Sequence, residues 1–342
     1  MQAVNRLLVW ILLTSLIGFS CRIHKPTNNG GTTSTDTTSN TSGTNPGTTG
    51  VPRFGALIGP PNKGSMDAND FKKKVARQLT IQYLRDNINL DTPKAHTLLE
   101  SNFNVVLNLN STAPRMGKHY PFPTDTIAYK RQLSAILSSL PKKPVLVVIE
   151  NEANNQGYYS GSAKDYINLL RAAIGVAHSY NIPVTDAGTT GIVVKYLLYQ
   201  HYVQNGMRQQ AAALKQRLDL KFGKWIEPSA AFADSVLTAL HTLQVDYVNM
   251  HWYQNITDTQ DLEAAVNYLK QLTGKEVMSN EMGQTDKPDP NVVTAMIEKC
   301  KQLQLPYVLW YSGNSDVGDR ARALHTSKGT LDLNGQAFKS AM

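Results

Sequence analysis

The sequence is poor in cysteine: its 342 residues hold two, Cys21 and Cys300. With Cys21 beside an apolar leader, Cys300 has no partner, so neither a disulfide framework nor a thiolate metal site is expected. The histidines, among them His178, His201, His241 and His251, show no HExxH or comparable ligand spacing, and no metal or cofactor is expected. No GxSxG elbow is present, which disfavours serine-based hydrolysis. No glycine-rich phosphate loop follows a strand-like segment; Gly188-Thr-Thr-Gly191 is too short and lacks the lysine. No repeat recurs at a solenoid period. Positive charge is not concentrated either. The formal +8 is spread along the chain, and the clusters Lys72–Lys74 and Lys142–Lys143 are not interleaved with aromatics. A nucleic-acid partner is therefore not expected.

Long apolar runs are also missing. Leu7–Phe19 is mostly apolar but only thirteen residues long, too short to cross a bilayer as a helix and suited to the core of a secretory signal. Met1–Arg6 supplies the positive charge before it. Gly18-Phe-Ser-Cys21 then places small residues before a cysteine, which resembles a loose lipobox of bacterial lipoproteins. Residues 1–21 are read as a lipoprotein signal with Cys21 as the lipidation site; an ordinary signal peptide is the alternative. Residues 22–50, rich in Ser, Thr, Asn and Gly, cannot bury surface to offset their ordering entropy and read as a flexible tether. The expected location is the bacterial cell envelope, in the outer membrane, periplasmic or surface-exposed, with the membrane touched through the lipid anchor only.

Residues 51–342 suit one (β/α)8 domain, expected to be a monomer. Short apolar segments alternate with longer amphipathic ones, the pattern of βα units around a parallel sheet. Strands are predicted at Phe54–Ile58, Ile81–Arg85, Phe103–Asn110, Val145–Glu150, Pro183–Ala187, Tyr247–Tyr253, Glu276–Asn280 and Tyr307–Tyr311. Apolar spacing of three and four, as in Tyr166, Leu169, Leu170, Ala173 and Ala177, predicts the helices between them. The long interval after the fifth strand predicts two more, about Val193–Leu220 and Ser229–Leu243. This helical insertion around 193–243 is expected on the face where such barrels carry active sites. The fold class is thus α/β, a (β/α)8 TIM barrel; an open doubly wound sheet with a helical insertion is the alternative.

A closed parallel barrel gathers the C-terminal ends of its strands at one rim. The residues predicted there are Arg85-Asp86, Asn108, Asn110, Glu150-Asn-Glu152, Asp186, His251-Trp-Tyr253, Asn280-Glu281 and Trp310-Tyr311. Core packing does not need such a set. Glu152 and Glu281 close two apolar runs, where an ionisable side chain is costly without a partner or a task. Two carboxyls brought together from separate strand ends can cleave a glycosidic bond, one as acid/base and one as nucleophile. Alternation places Leu146, Val148, Glu150 and Glu152 on one face and Asn151 on the other. Asn151 and Glu152 both reach a common cavity only if the strand end bulges or twists. Glu150 would then lie a layer deeper, with a partner such as Arg85, and is itself the alternative acid.

Asn151-Glu152, His251-Trp-Tyr253, Glu281 and Trp310, in this order at four predicted strand ends, resemble clan A of the glycoside hydrolases. Those are retaining (β/α)8 enzymes that act mainly on β-linked glycans. The resemblance implies Glu152 as acid/base, Glu281 as nucleophile and Asn151 on the 2-hydroxyl of the sugar being cleaved. It further implies that His251 and Tyr253 orient the carboxylates, that Arg85 lies near the nucleophile, and that Trp310 floors the sugar. Asn110 is a further substrate-binding candidate, and Tyr158 and Tyr159 are candidate wall residues. The chain departs from the clan where it has Asn108 and Asn110, since many members carry a histidine there, and at Ala153, which replaces a frequent proline. The expected function is a retaining glycoside hydrolase of a β-linked oligo- or polysaccharide. A non-catalytic glycan-binding lipoprotein and a transglycosylase are the competing readings.

Overall fold

A computed structural model describes residues 51–61, 66–93 and 98–342. The leader, the proposed lipidation site Cys21 and the tether lie outside them. Eight parallel strands follow one another: β1 (Arg53–Ile58), β2 (Tyr83–Asn89), β3 (Asn104–Asn110), β4 (Leu146–Ile149), β5 (Val184–Thr185), β6 (Val248–Gln254), β7 (Val277–Gln284) and β8 (Tyr307–Ser312). They pair in the order β5-β4-β3-β2-β1-β8-β7-β6. Single bridges, Thr185 to Tyr247 and Thr189 to Met250, join β5 to β6 and bring the ring nearly to closure. The result is a (β/α)8 barrel.

Around it lie α1 (Ala68–Leu79), α2 (Thr126–Ser139), α3 (Ala163–Ser179), α4 (Gly191–Gln204), α5 (Arg208–Arg217), α6 (Glu227–Leu240), α7 (Gln260–Thr273), α8 (Pro290–Gln302) and α9 (Leu333–Ala341). Among the described residues the β2–β3 connection carries no helix. Local chemistry sets the helix ends. The Asp67 and Asp125 side chains accept backbone N–H groups at the starts of α1 and α2, and Ser162 with Asp165 forms a reciprocal capping box on α3. Gly274, at φ +68°, stops α7 in the left-handed conformation that costs glycine least.

Strand alternation divides the apolar residues between two cores. Val106, Leu146, Val148, Met278, Tyr307 and Leu309 pack together inside the barrel. Their sequence neighbours, such as Val105, Leu107, Val147, Ile149 and Val308, join the larger core beneath the helices. The interior is apolar low in the barrel and polar towards the strand C-termini. That gradient explains where the predicted strand limits are wrong. β2 runs on through Asn87 and Asn89, and β7 through Glu281 to Gln284, because ladder hydrogen bonding continues after the apolar run has ended. β5 shrinks to two residues. The helix predicted over 193–220 is two, α4 and α5, divided at Gly206 with φ +73°.

Candidate active site

The C-terminal ends of the strands surround a cleft of about 570 Å³. β2 sends Arg85, Asn87 and Asn89 into it at alternate positions, β3 sends Asn110, β6 Tyr253 and β8 Tyr311. The loops after β3, β4 and β8 wall it with Met116, Tyr158 and Arg322. None of its lining residues comes from the 193–243 insertion, contrary to expectation: α4, α5 and α6 pack on one another and on α3, α7 and β6, outside the ring.

Two local distortions bring the carboxylates into this cleft. After β4, Glu150 and Glu152 adopt φ of +66° and +51°, conformations uncommon for residues with a side chain. The chain thereby turns Asn151 and Glu152 both towards the cleft, while Glu150 points into the protein. On β7 the pairing with β6 slips: Asn249 faces Met278, but His251 faces Glu281. The extra residue is a bulge, and Asn280 and Glu281, which simple alternation would separate, both reach the interior.

Glu281 is clamped. One oxygen accepts from Arg85 Nη1 at 2.6 Å and the other from the Tyr253 hydroxyl at 2.6 Å. Burial alone would raise this carboxyl, but His251 and Arg85 with the Tyr253 hydroxyl outweigh it and hold it at about 2. Arg85 also donates to Asn151 Oδ1 at 2.5 Å, so one guanidinium spans the nucleophile candidate and the amide beside the other glutamate. Glu152 takes His251 Nδ1 at 2.9 Å on one oxygen and Asn155 Nδ2 at 3.0 Å on the other. His251 Nδ1 lies 3.7 Å from Glu281 as well. Burial depresses the imidazole, but the Glu281 and Glu152 carboxylates prevail and raise it above its ordinary value. Oxygens of the two glutamates and a ring nitrogen of His251 lie within 4.8 Å of one another. A dication would suit this trio poorly, since the Arg85 guanidinium already neutralises Glu281 and would repel it.

Several sequence expectations need correction. Trp310 is fully buried, donates through Nε1 to the Arg322 carbonyl at 2.8 Å and meets Phe338 of α9 edge-on. It therefore cannot floor a sugar in the cleft. On β8 the inward set is Tyr307, Leu309 and Tyr311, so alternation points Trp310 at the helices and gives the cleft position to Tyr311. Glu150 does not meet Arg85. It accepts from Ser111 N at 2.9 Å, from the Ser111 hydroxyl, and from the Tyr159 hydroxyl at 3.0 Å, away from the cleft. Burial raises it to about 7, against those hydrogen bonds. Tyr159 is thus a support for Glu150, stacked on Phe122, while Tyr158 lines the cleft. Asp186 is buried and accepts from the Asn249 and Gly188 backbone N–H groups.

Asn110 lies in the cleft, with Nδ2 on Asn89 Oδ1 at 3.3 Å and its own Oδ1 unpartnered. Sequence reasoning missed Asn87, Asn89, Asn155 and Arg322. The first two were legible as a continuation of the alternation from Arg85; the loop residues carried no period. The Arg322 guanidinium lies over the rings of Tyr311, at 4.9 Å, and Tyr253, at 5.6 Å, and pairs with Asp319 at 2.9 Å.

No family model and no curated protein matches the chain. Solved structures do. A GH128 subgroup II endo-β-1,3-glucanase from Sorangium cellulosum aligns with TM-score 0.55 and 14% identity, over 85% of this chain and 98% of its own. A GH128 subgroup VI exo-β-1,3-glucanase from Aureobasidium namibiae aligns with TM-score 0.53 and 10% identity, over 85% and 98%. A glucosidase from Croceicoccus marinus aligns with TM-score 0.57 and 10% identity, over 85% and 66%. Identities this low establish a shared fold.

Proposed function

We propose that this chain is a retaining glycoside hydrolase acting on a β-linked glucan, with Glu281 as nucleophile and Glu152 as acid/base. The reading rests on one observation: a carboxylate held ionised by Arg85 and Tyr253 has a second carboxyl within 4.8 Å, at the mouth of the same cleft. Retaining chemistry uses carboxyls about 5–5.5 Å apart, whereas inversion needs about 6.5–9.5 Å to admit a water. In the first step Glu281 bonds to the anomeric carbon while the leaving oxygen takes the proton of Glu152. In the second, Glu152 removes a proton from water, and the water oxygen displaces Glu281. Two neighbours named as β-1,3-glucanases make a β-1,3-glucan the first substrate to try.

Release of reducing ends from β-1,3- and β-1,4-glucans tests the reading. Glu281→Ala and Glu152→Ala should each lower it by at least a thousandfold with folding intact. Azide should rescue Glu281→Ala with inverted anomeric configuration. Substantial turnover by either variant refutes the site, saccharide binding without cleavage identifies a binding protein, and lengthened products identify a transglycosylase. We further propose attachment to the bacterial envelope through Cys21: Cys21→Ser should abolish incorporation of labelled palmitate, and unchanged labelling refutes the anchor.

A further inference from the structure

We propose that Asn280, supported by Asn108 and Asn249, is a positioning residue that keeps hydrogen on His251 Nε2, leaving Nδ1 as the one ring nitrogen that trades a proton with Glu152. Two backbone groups dictate the direction of every amide in this network, because a carbonyl can only accept and an N–H can only donate. The Glu150 carbonyl accepts from Asn108 Nδ2 at 3.2 Å, which leaves Asn108 Oδ1 to accept from Asn280 Nδ2 at 3.0 Å. Asn280 Oδ1 is thereby turned to His251 Nε2, 3.0 Å away. From the other side, the Asn280 backbone N–H donates to Asn249 Oδ1 at 3.1 Å, which aims Asn249 Nδ2 at the same Asn280 Oδ1, at 2.8 Å. Both routes put an acceptor opposite Nε2. All four side chains are fully buried. Gly188, at φ +79°, closes over them: a Cβ there would lie 2.5 Å from His251 Nε2 and 2.9 Å from Asn249 Nδ2.

The consequence for chemistry rests on the hydrolase reading; the tautomer does not. With Nε2–H fixed, the line between Nδ1 and Glu152 holds one proton, on the nitrogen or on the carboxyl. When that proton goes to the leaving oxygen, the Glu152 carboxylate faces a bare Nδ1 lone pair. Their repulsion favours the next event, capture of a proton from water. The opposite tautomer would hold N–H against Glu152 throughout and blunt it as a base. The charged groups facing the imidazole are Glu152 after β4, Glu281 on β7 and Arg85 on β2, with Asp186 reached through Asn249.

Histidine-selective 15N labelling and long-range proton–nitrogen spectra read the tautomer directly, His251→Asn assigning the signal among the eight histidines. Nε2 should stay protonated at every pH where the protein is folded, with Nδ1 alone titrating. Asn280→Asp keeps an acceptor and adds negative charge, so it should keep Nε2–H and move the Nδ1 titration up by one pH unit or more. Asn280→Leu should populate both tautomers and lower kcat at least tenfold with KM unchanged. Asn108→Leu, with Asn249 still aiming Asn280, should keep Nε2–H. A bare Nε2 in the unmodified protein, or an unchanged spectrum in Asn280→Leu, overturns the proposal. If a variant does not fold, the unmodified protein decides alone. Nε2–H without any glycan cleavage would sink the proposed function and leave this inference standing.

Discussion

Replacing Glu150 by glutamine should make the protein's stability less sensitive to pH. Glu150 is fully buried, and its oxygens meet the Ser111 N–H and hydroxyl on one side and the Tyr159 hydroxyl on the other. A neutral side chain fits there: Gln Oε1 can accept from Ser111, and Nε2 can donate to Tyr159, whose oxygen accepts equally well. Burial raises the carboxyl from 4.5 to about 7. A raised acid stabilises the fold fully below its unfolded value of 4.5 and loses that contribution as pH climbs through about 7. At about 1.4 kcal/mol per pH unit, wild type should lose about 3 kcal/mol relative to Glu150→Gln between pH 4.5 and 8. Urea unfolding followed by tryptophan fluorescence across that range measures the difference, and the other titrating groups cancel because both proteins share them. A difference that stays flat with pH would refute the reasoning. Activity gives a second check. Glu150→Gln should cleave glycan and Glu152→Gln should not; equal loss in both would restore Glu150 as the acid.

Removing the cation beside the proposed nucleophile should expose Glu281 to acid: in Arg85→Met the acid limb of kcat should move up by roughly 1–3 pH units, and a limb that stays put means Arg85 does not hold the charge. Trp310→Phe should cost roughly 2 kcal/mol, through a lost hydrogen bond and an unfilled core, with KM unchanged. Tyr311→Ala should instead raise KM about 3- to 10-fold, as loss of an aromatic contact worth about 0.5–1.5 kcal/mol would; the reverse pattern would return the sugar floor to Trp310. Gly188→Ala should unfold the site or the protein at moderate denaturant, since a Cβ would enter the imidazole from a left-handed backbone. Wild-type stability in that variant would contradict the close packing over His251.

The amino-acid order alone carried the alternation of strands and helices, because apolar period is a local property of the chain. It also placed Glu152 and Glu281 at strand ends, and from that a shared rim followed for any closed parallel barrel. What it missed lies where the period breaks. The bulge on β7 leaves no mark in hydrophobic pattern, and after β4 the alternation called for a distortion but not for the left-handed residues that make it. Trp310 was misplaced by resemblance, whereas plain alternation along β8 would have sent it to the helices. Arg85 lies against Glu281, as the resemblance implied, and not against Glu150, for which it had been offered as a partner.

Sequence thus determined the strand count, the helical layers and the two carboxylates, since these follow from spacing between near neighbours. Tertiary structure decided the rest: which oxygen Arg85 clamps, which nitrogen of His251 faces Glu152, and which aromatic of β8 sees the cleft. Those are contacts between residues from β2, β4, β6, β7 and β8, up to nearly two hundred positions apart. Only closure of the barrel brings them within hydrogen-bond reach, and a one-residue bulge is enough to change which of them meet.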